Sequence, residues 1–222
     1  MKKRKEGIEM KKKIITAVSL LIAFVLWTVA VCFIDVKAVG PRGSRVGLST
    51  VNVFVHDLSG VNLTLYGITD WLGLVPVAVG LGFAVLGLVQ WIRRKSLKKV
   101  DRSLLALGGF YVAVAAAYLF FESCIINYRP VLISGNLEAS YPSSTTLLVL
   151  CIMPTAAMQA AKRIKNQKLK ACIILLIAAF TAFMVIGRLL SGVHWLSDII
   201  GGILLSATLI TFYLLVSEEK QY

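Results

Sequence analysis

The chain is poor in the residues from which metal sites and charged protein surfaces are built. It has two histidines and 11 acidic residues in 222, and only 16% of its residues are charged. Its four cysteines, at positions 32, 124, 151 and 172, show no metal-ligand spacing. No second histidine, cysteine or carboxylate pair accompanies His194 at such a spacing. These absences argue against a metal centre, and no cofactor is expected. No internal repeat stands out. No long polar stretch interrupts the apolar sequence, which excludes a separate soluble domain.

What remains is apolar. Hydrophobic residues make up 58% of the chain, and the mean hydropathy is +0.81. Crossing a bilayer takes about 20 apolar residues in a helix. Six segments meet that length, near 14–34, 71–92, 103–126, 145–161, 171–190 and 195–216. The expected fold is an all-α bundle of six transmembrane helices. Residues 1–13 form a basic N-terminus, 14–216 one membrane domain, and 217–222 a tail. The first apolar run exceeds a signal-peptide core and no small-x-small site follows it, so an uncleaved anchor is expected. Met1 and Met10 are both possible starts.

Basic residues outnumber acidic ones, 24 to 11. Their placement points to topology rather than to nucleic acid. Seven precede the first span, six lie in "RRKSLKKVDR" (93–102), five in "KRIKNQKLK" (162–170), and Lys220 is in the tail. Only Lys37, Arg42, Arg45, Arg129 and Arg188 lie elsewhere. With six spans, the rich segments fall on one side. Basic loops stay in the cytoplasm, so both termini are expected there. The protein is expected in the cell membrane, with membrane lipid rather than nucleic acid as its partner.

Polar groups from distant parts of the chain then converge on the opposite, outer face. Arg129 follows the third span. Ser143, Ser144 and Thr145 open the fourth, after Pro142. Arg188 ends the fifth, and His194 and Asp198 open the sixth. His194 and Asp198 are four apart and share a helical face. The carboxylate can accept a hydrogen bond from one ring nitrogen, leaving the other as a base, ligand or nucleophile. Arginine forks suit phosphate oxygens, and a helix N-terminus favours an anion. Bland readings stand beside these. Arg188 could be a snorkelling anchor, and the Ser/Thr cluster an ordinary cap. An acid at the start of a span usually has a partner and a role.

The remaining outer segment, 35–70, interleaves apolar and polar residues and is expected to hold a short amphipathic element at the interface. Gly109, Ala113 and Ala117 mark a close-packing face on the third span, and Gly201, Gly202 and Ser206 one on the sixth. Cys32 and Cys124 are read as separate buried thiols rather than a disulfide.

Arg188-x5-His194-x3-Asp198 resembles the third signature of the type 2 phosphatidic acid phosphatases, relatives of the vanadium haloperoxidases. "RP" at 129–130 resembles the end of their first signature, and "YPSST" at 141–145 their second, Pro-Ser-Gly-His. The resemblance covers about 70–216. It implies a six-helix fold, metal-free hydrolysis and a phosphohistidine intermediate. His194 would be the nucleophile and Asp198 its orienting acid, while Arg129, Arg188 and Ser143, with Ser144 and Thr145 beside it, would bind phosphate. Three positions depart from the family pattern. Glu122 stands where the first signature has lysine, and is available to pair with Arg129 or Arg188. Ser144 and Thr145 replace the glycine and the general-acid histidine of the second. Gly187 replaces the serine before Arg188. The other histidine, His56, lies in the outer segment and could fold over the site.

The expected activity is hydrolysis of a lipid phosphate at the outer face, with preference for a diphosphate such as polyprenyl diphosphate because the acid is missing. The alternative is an impaired relative that binds lipid phosphates without hydrolysing them. A transporter fits less well, since transport sites lie near the bilayer midplane.

Overall fold

The computed structural model describes residues 2–218; Lys220 and the rest of the expected tail from 219 lie outside them. Eight α-helices follow in order: α1 (Lys2–Phe33), α2 (Ser49–Ser59), α3 (Leu63–Leu72), α4 (Leu74–Arg94), α5 (Arg102–Ser123), α6 (Ser144–Arg163), α7 (Gln167–Leu190) and α8 (Leu196–Glu218). No strand is found among the described residues, only isolated bridges at 37/46, 128/139 and 133/136.

Among the described residues, six helical segments are long and apolar enough to cross a membrane, as the sequence suggests. The protein is a multi-pass integral membrane protein. The second span differs from expectation. It begins at Leu63 rather than near 71 and runs to Arg94. Gly73 keeps helical backbone angles, and its N–H donates to the Thr69 and Asp70 carbonyls at 3.0 Å, so α3 feeds almost directly into α4. Asp70 and Thr69 interrupt the apolar run in sequence, yet both sit inside this helix.

Helix ends are set by local side chains. Asn62 caps α3, accepting the Leu65 N–H at 2.9 Å, and Asn166 caps α7, accepting the Leu169 N–H at 3.1 Å. Pro154 lies within α6. The Thr155 hydroxyl there makes contacts of 2.9 Å with the Cys151 and Ile152 carbonyls.

The apolar core lies where α8 packs against α1 and α6, and α6 against α7. Phe24, Val31, Leu107, Phe110, Val114, Leu147, Leu205 and Tyr213 fill it. The small face expected on the sixth span is used. Gly201 and Gly202 are buried against Tyr141 and Thr146. The one expected on the third is not. Gly109 and Ala113 are exposed, and α5 buries Leu104, Leu107, Phe110 and Val114 instead, because large side chains on that stripe fill the core better. Gly109 lines an apolar crevice between α4, α5 and α6, about 700 Å³ in volume.

Cys151 is the buried thiol. Cys32 and Cys124 are free and exposed, against expectation, since both face outward from helix ends. At the end carrying the basic loops, Asp101 joins three helices. It accepts hydrogen bonds from Gln90 of α4 at 2.9 Å and Arg163 of α6 at 3.4 Å, and ion-pairs with Arg94 at 3.3 Å. Arg94 also bonds the Lys99 carbonyl.

Candidate active site

The polar residues singled out from the sequence meet at the other end of the bundle, where α6 and α8 begin and α3 and α7 finish. The segment 124–143, between α5 and α6, doubles back on itself. The Arg129 N–H donates to the Glu138 carbonyl at 3.1 Å and the Ser140 N–H to the Asn127 carbonyl at 2.9 Å. This fold-back delivers Arg129 and Ser140 to the same place. The chain then enters α6 through a cis Tyr141–Pro142 bond. The Ser143 N–H donates to the Asp198 carbonyl at 3.0 Å, tying the start of α6 to the start of α8.

His194 is buried in the turn that joins α7 to α8. The turn is possible because Gly192 has a positive φ of 67°, and because its missing Cβ lets the Gly60 carbonyl approach; a Cβ would lie 2.0 Å from that oxygen. The Asn62 N–H donates to the Ser191 carbonyl at 3.0 Å in the same contact. The outer segment thus holds one short helix, α2, which packs on α8, and ends in α3, which belongs to the second span. His56 of α2 stands with its ring centroid 5.4 Å from that of Trp195, the residue after His194.

The two imidazole nitrogens face different surroundings. Arg188 approaches Nε2 through NH2 at 3.2 Å. Arginine has only donors, so Nε2 must be the unprotonated acceptor and the proton sits on Nδ1. Nδ1 lies 3.1 Å from the Ser140 hydroxyl. The Ser140 hydroxyl in turn donates to Asp198 Oδ2 at 2.5 Å. Asp198 Oδ2 itself is 3.8 Å from Nδ1, too far for a hydrogen bond. The expected direct bond between His194 and Asp198 is thus replaced by one relayed through serine, because four-residue spacing across a turn leaves the pair short of contact. Burial, then the charges of Arg129 and Arg188, hold the His194 pKa well below the usual imidazole value. The ring is neutral at ordinary pH.

Asp198 is fully buried and fully engaged. Oδ2 also accepts the Trp195 N–H at 2.9 Å, while Oδ1 accepts Asn127 and the Ser197 hydroxyl, both at 3.4 Å. Asn52 of α2 braces Ser197 from outside, accepting its N–H at 3.0 Å and donating to its hydroxyl at 2.9 Å. Asn52, Asn127, Ser140 and Ser197 do not stand out in the sequence, where each is an ordinary polar residue in a loop or at a helix start.

The arginines are held beside the histidine. Arg188 is 1% exposed, and its NH1 pairs with Asp70 at 3.4 Å. Arg129 Nε lies 3.2 Å from Glu138 Oε2, without the alignment of a hydrogen bond. Both guanidinium groups lie over the Tyr66 ring, at 5.0 Å for Arg188 and 5.9 Å for Arg129. Neither arginine pairs with Glu122, which is exposed at the rim of a small cavity shared with Ser140 and Ser144. Asp70 and Glu138 take that place because α3 and the fold-back bring them closer. Asp70 carries a sequence signal that could have found it, an acid within an apolar helix.

Buried Nε and NH1 of Arg129 and Nε of Arg188 have no hydrogen-bond partner among the described residues. Unsatisfied buried donors are costly, and three on two neighbouring guanidinium groups suit an anion. Ser143 caps α6, accepting the Thr146 N–H at 3.4 Å and its hydroxyl at 3.0 Å. The N–H groups of Ser144 and Thr145 precede the first helical bond and are free of intrahelical partners. The Thr145 methyl faces Gly73 at the α3–α4 junction. No cluster of three potential metal-ligating side chains occurs among the described residues.

An all-helical membrane bundle with a buried histidine flanked by arginines at one end defines the class. Residues 104–222 match the PAP2 superfamily, and the chain belongs to it. The fold is that of a PAP2 membrane phosphatase. It is similar to the crystal structure of a transmembrane PAP2-type phosphatidylglycerolphosphate phosphatase from Bacillus subtilis, with a TM-score of 0.62 and 19% identity, over 93% of this chain and 98% of that one. No curated protein matches the sequence.

Proposed function

We propose that the chain hydrolyses a lipid phosphate or, preferentially, a lipid diphosphate such as a polyprenyl diphosphate, through a phosphohistidine on His194 at the extracytoplasmic face. The observation that carries this reading is the neutral imidazole whose Nε2 lone pair faces the Arg188 guanidinium at 3.2 Å. A phosphate entering there takes hydrogen bonds from Arg188, Arg129 and the start of α6. Its phosphorus then stands against Nε2. Attack forms the Nε2–P bond and breaks the P–O bond to the lipid, with the electron pair leaving on that oxygen. Water then cleaves the N–P bond, releasing phosphate and restoring the ring.

Two features support the choice of substrate. The apolar crevice between α4, α5 and α6 suits a hydrocarbon chain. Thr145 supplies no acid, so a leaving group of low basicity is favoured. A lipid diphosphate expels a monophosphate with a second pKa of about 6, whereas a phosphomonoester expels an alkoxide. Cytoplasmic termini, supported by the basic loops, put the site on the outer side.

The test is phosphate release by purified protein from polyprenyl diphosphate, phosphatidic acid and phosphatidylglycerol phosphate, with His194→Ala as control. Trapping of radiolabelled phosphate on the unmodified chain and not on the variant is expected. Full activity of the variant would overturn the reading. Tight binding of all substrates without release would favour the impaired relative, to which the replacement of histidine by Thr145 gives weight.

A further inference from the structure

We infer that Ser140 is a positioning residue for this reaction: it links Asp198 to His194 and fixes the tautomer of the nucleophile. The inference rests on the reading of His194 as nucleophile. Its basis is a chain of three groups whose proton directions are determined at both ends. Arg188 is donor-only and contacts Nε2 at 3.2 Å. Asp198 accepts from Ser140 at 2.5 Å. Between them, Nδ1–H faces the Ser140 hydroxyl oxygen at 3.1 Å and, beside it, the Ser140 backbone carbonyl, so both of these acceptors belong to Ser140 and the hydroxyl is the one that reaches on to Asp198.

The carboxylate cannot take over if the serine is lost. Oδ2 is held by the Trp195 N–H, and Oδ1 by Asn127 and Ser197, so turning toward Nδ1 across 3.8 Å breaks bonds it already has. Ser140 is equally constrained. It is 2% exposed, its N–H is bonded to the Asn127 carbonyl, and its neighbour Tyr141 is bonded to Thr28 at 2.7 Å. The charges around the ring are divided. Arg188, paired with Asp70, lies on the Nε2 side, Arg129, paired with Glu138, lies with it over the Tyr66 ring, and Asp198 lies on the Nδ1 side. His56 stands beyond Trp195.

The role follows from electron flow. As Nε2–P forms, the ring becomes positively charged while Nδ1 keeps its proton. The Nδ1–H···Ser140 and Ser140–O–H···Asp198 bonds both strengthen, and the negative carboxylate is felt at the ring through the hydroxyl. No proton leaves the ring. When water cleaves the N–P bond, the pair returns to Nε2.

Ser140→Ala is expected to lower kcat by about 10- to 100-fold, the loss of one charge-assisted hydrogen bond, with KM within about twofold. Ser140→Thr, which keeps the hydroxyl, should restore most of it. The deciding measurement is ¹⁵N spectroscopy of the two imidazoles in the unmodified chain, which needs no variant to fold and no substrate. His194 is expected as the Nδ1–H tautomer at neutral pH. An Nε2–H tautomer there, or Ser140→Ala with unchanged kcat, would overturn the role of Ser140. An Nδ1–H tautomer in a chain that releases no phosphate from any substrate would uphold the geometry and sink the phosphatase reading instead.

Discussion

Replacing Arg188 by lysine separates charge from geometry at the site. The guanidinium faces three directions at once: NH2 to His194 Nε2 at 3.2 Å, NH1 to Asp70 at 3.4 Å, and a buried Nε without a partner. A lysine ammonium is a single point and can serve one of them. The positive charge survives, but a phosphate loses at least one of the two parallel bonds of the fork. A hydrogen bond to a charged group is worth about 1.5–3 kcal/mol, so kcat/KM should fall by about 10- to 150-fold. Phosphate release under saturating and limiting substrate would separate kcat from KM, with a thermal unfolding curve to confirm the fold. Arg188→Gln adds a second readout. Arg188 is one of the causes, after burial and Arg129, that keep the His194 pKa low. Removing the charge raises that pKa, so protonation inactivates the ring at higher pH. The acid limb of the rate profile should move up in Arg188→Gln and stay in place in Arg188→Lys. A lysine variant within threefold of the unmodified activity, or a limb unmoved by glutamine, would refute the placement of Arg188 beside His194.

Three further outcomes are expected. Thr145→His should raise phosphatidic acid hydrolysis more than diphosphate hydrolysis, by up to the 10²–10⁴-fold typical of a general acid; an unmodified chain faster on phosphatidic acid would contradict the diphosphate preference. Impermeant thiol reagents should label cysteines placed at 134–136, which are exposed, in intact cells and miss those at 165–168, and the reverse would invert the orientation. Gly201→Ala should destabilise by about 1–3 kcal/mol, since its Cβ would fall 2.6 Å from the Tyr141 ring; an unchanged unfolding midpoint would refute the tightness of that contact.

The six spans and the meeting of Arg129, Ser143, Arg188, His194 and Asp198 were legible in the sequence, because apolar run length and the side of the membrane place each of them without tertiary detail. The groups that fix their geometry were not. Ser140 reaches the imidazole only because 124–143 pairs with itself, and Asn52 only because α2 lies on α8. Neither contact has a sequence period. The spacing of 194 and 198 suggested a direct bond, but His194 precedes the first turn of α8, where helical geometry does not yet apply. The small residues of α5 misled for another reason. Small side chains mark a packing face only when larger ones do not fill the core better, and here Leu107 and Phe110 do.

The pairing of Asp70 and Glu138 with the two arginines bears on turnover. Two largely buried guanidinium groups without counter-ions would grip inorganic phosphate as firmly as substrate, and the product would leave slowly. Here each arginine has a resident carboxylate, 55% exposed for Asp70 and 38% for Glu138, which under the proposed reaction an entering phosphate would displace and a departing one release. Phosphate would then bind by exchange of one anion for another, with a small net gain in binding in both directions. Under that proposal the site gives up ground-state affinity, and in return an arriving lipid would not meet a site already blocked by the product of the previous cycle.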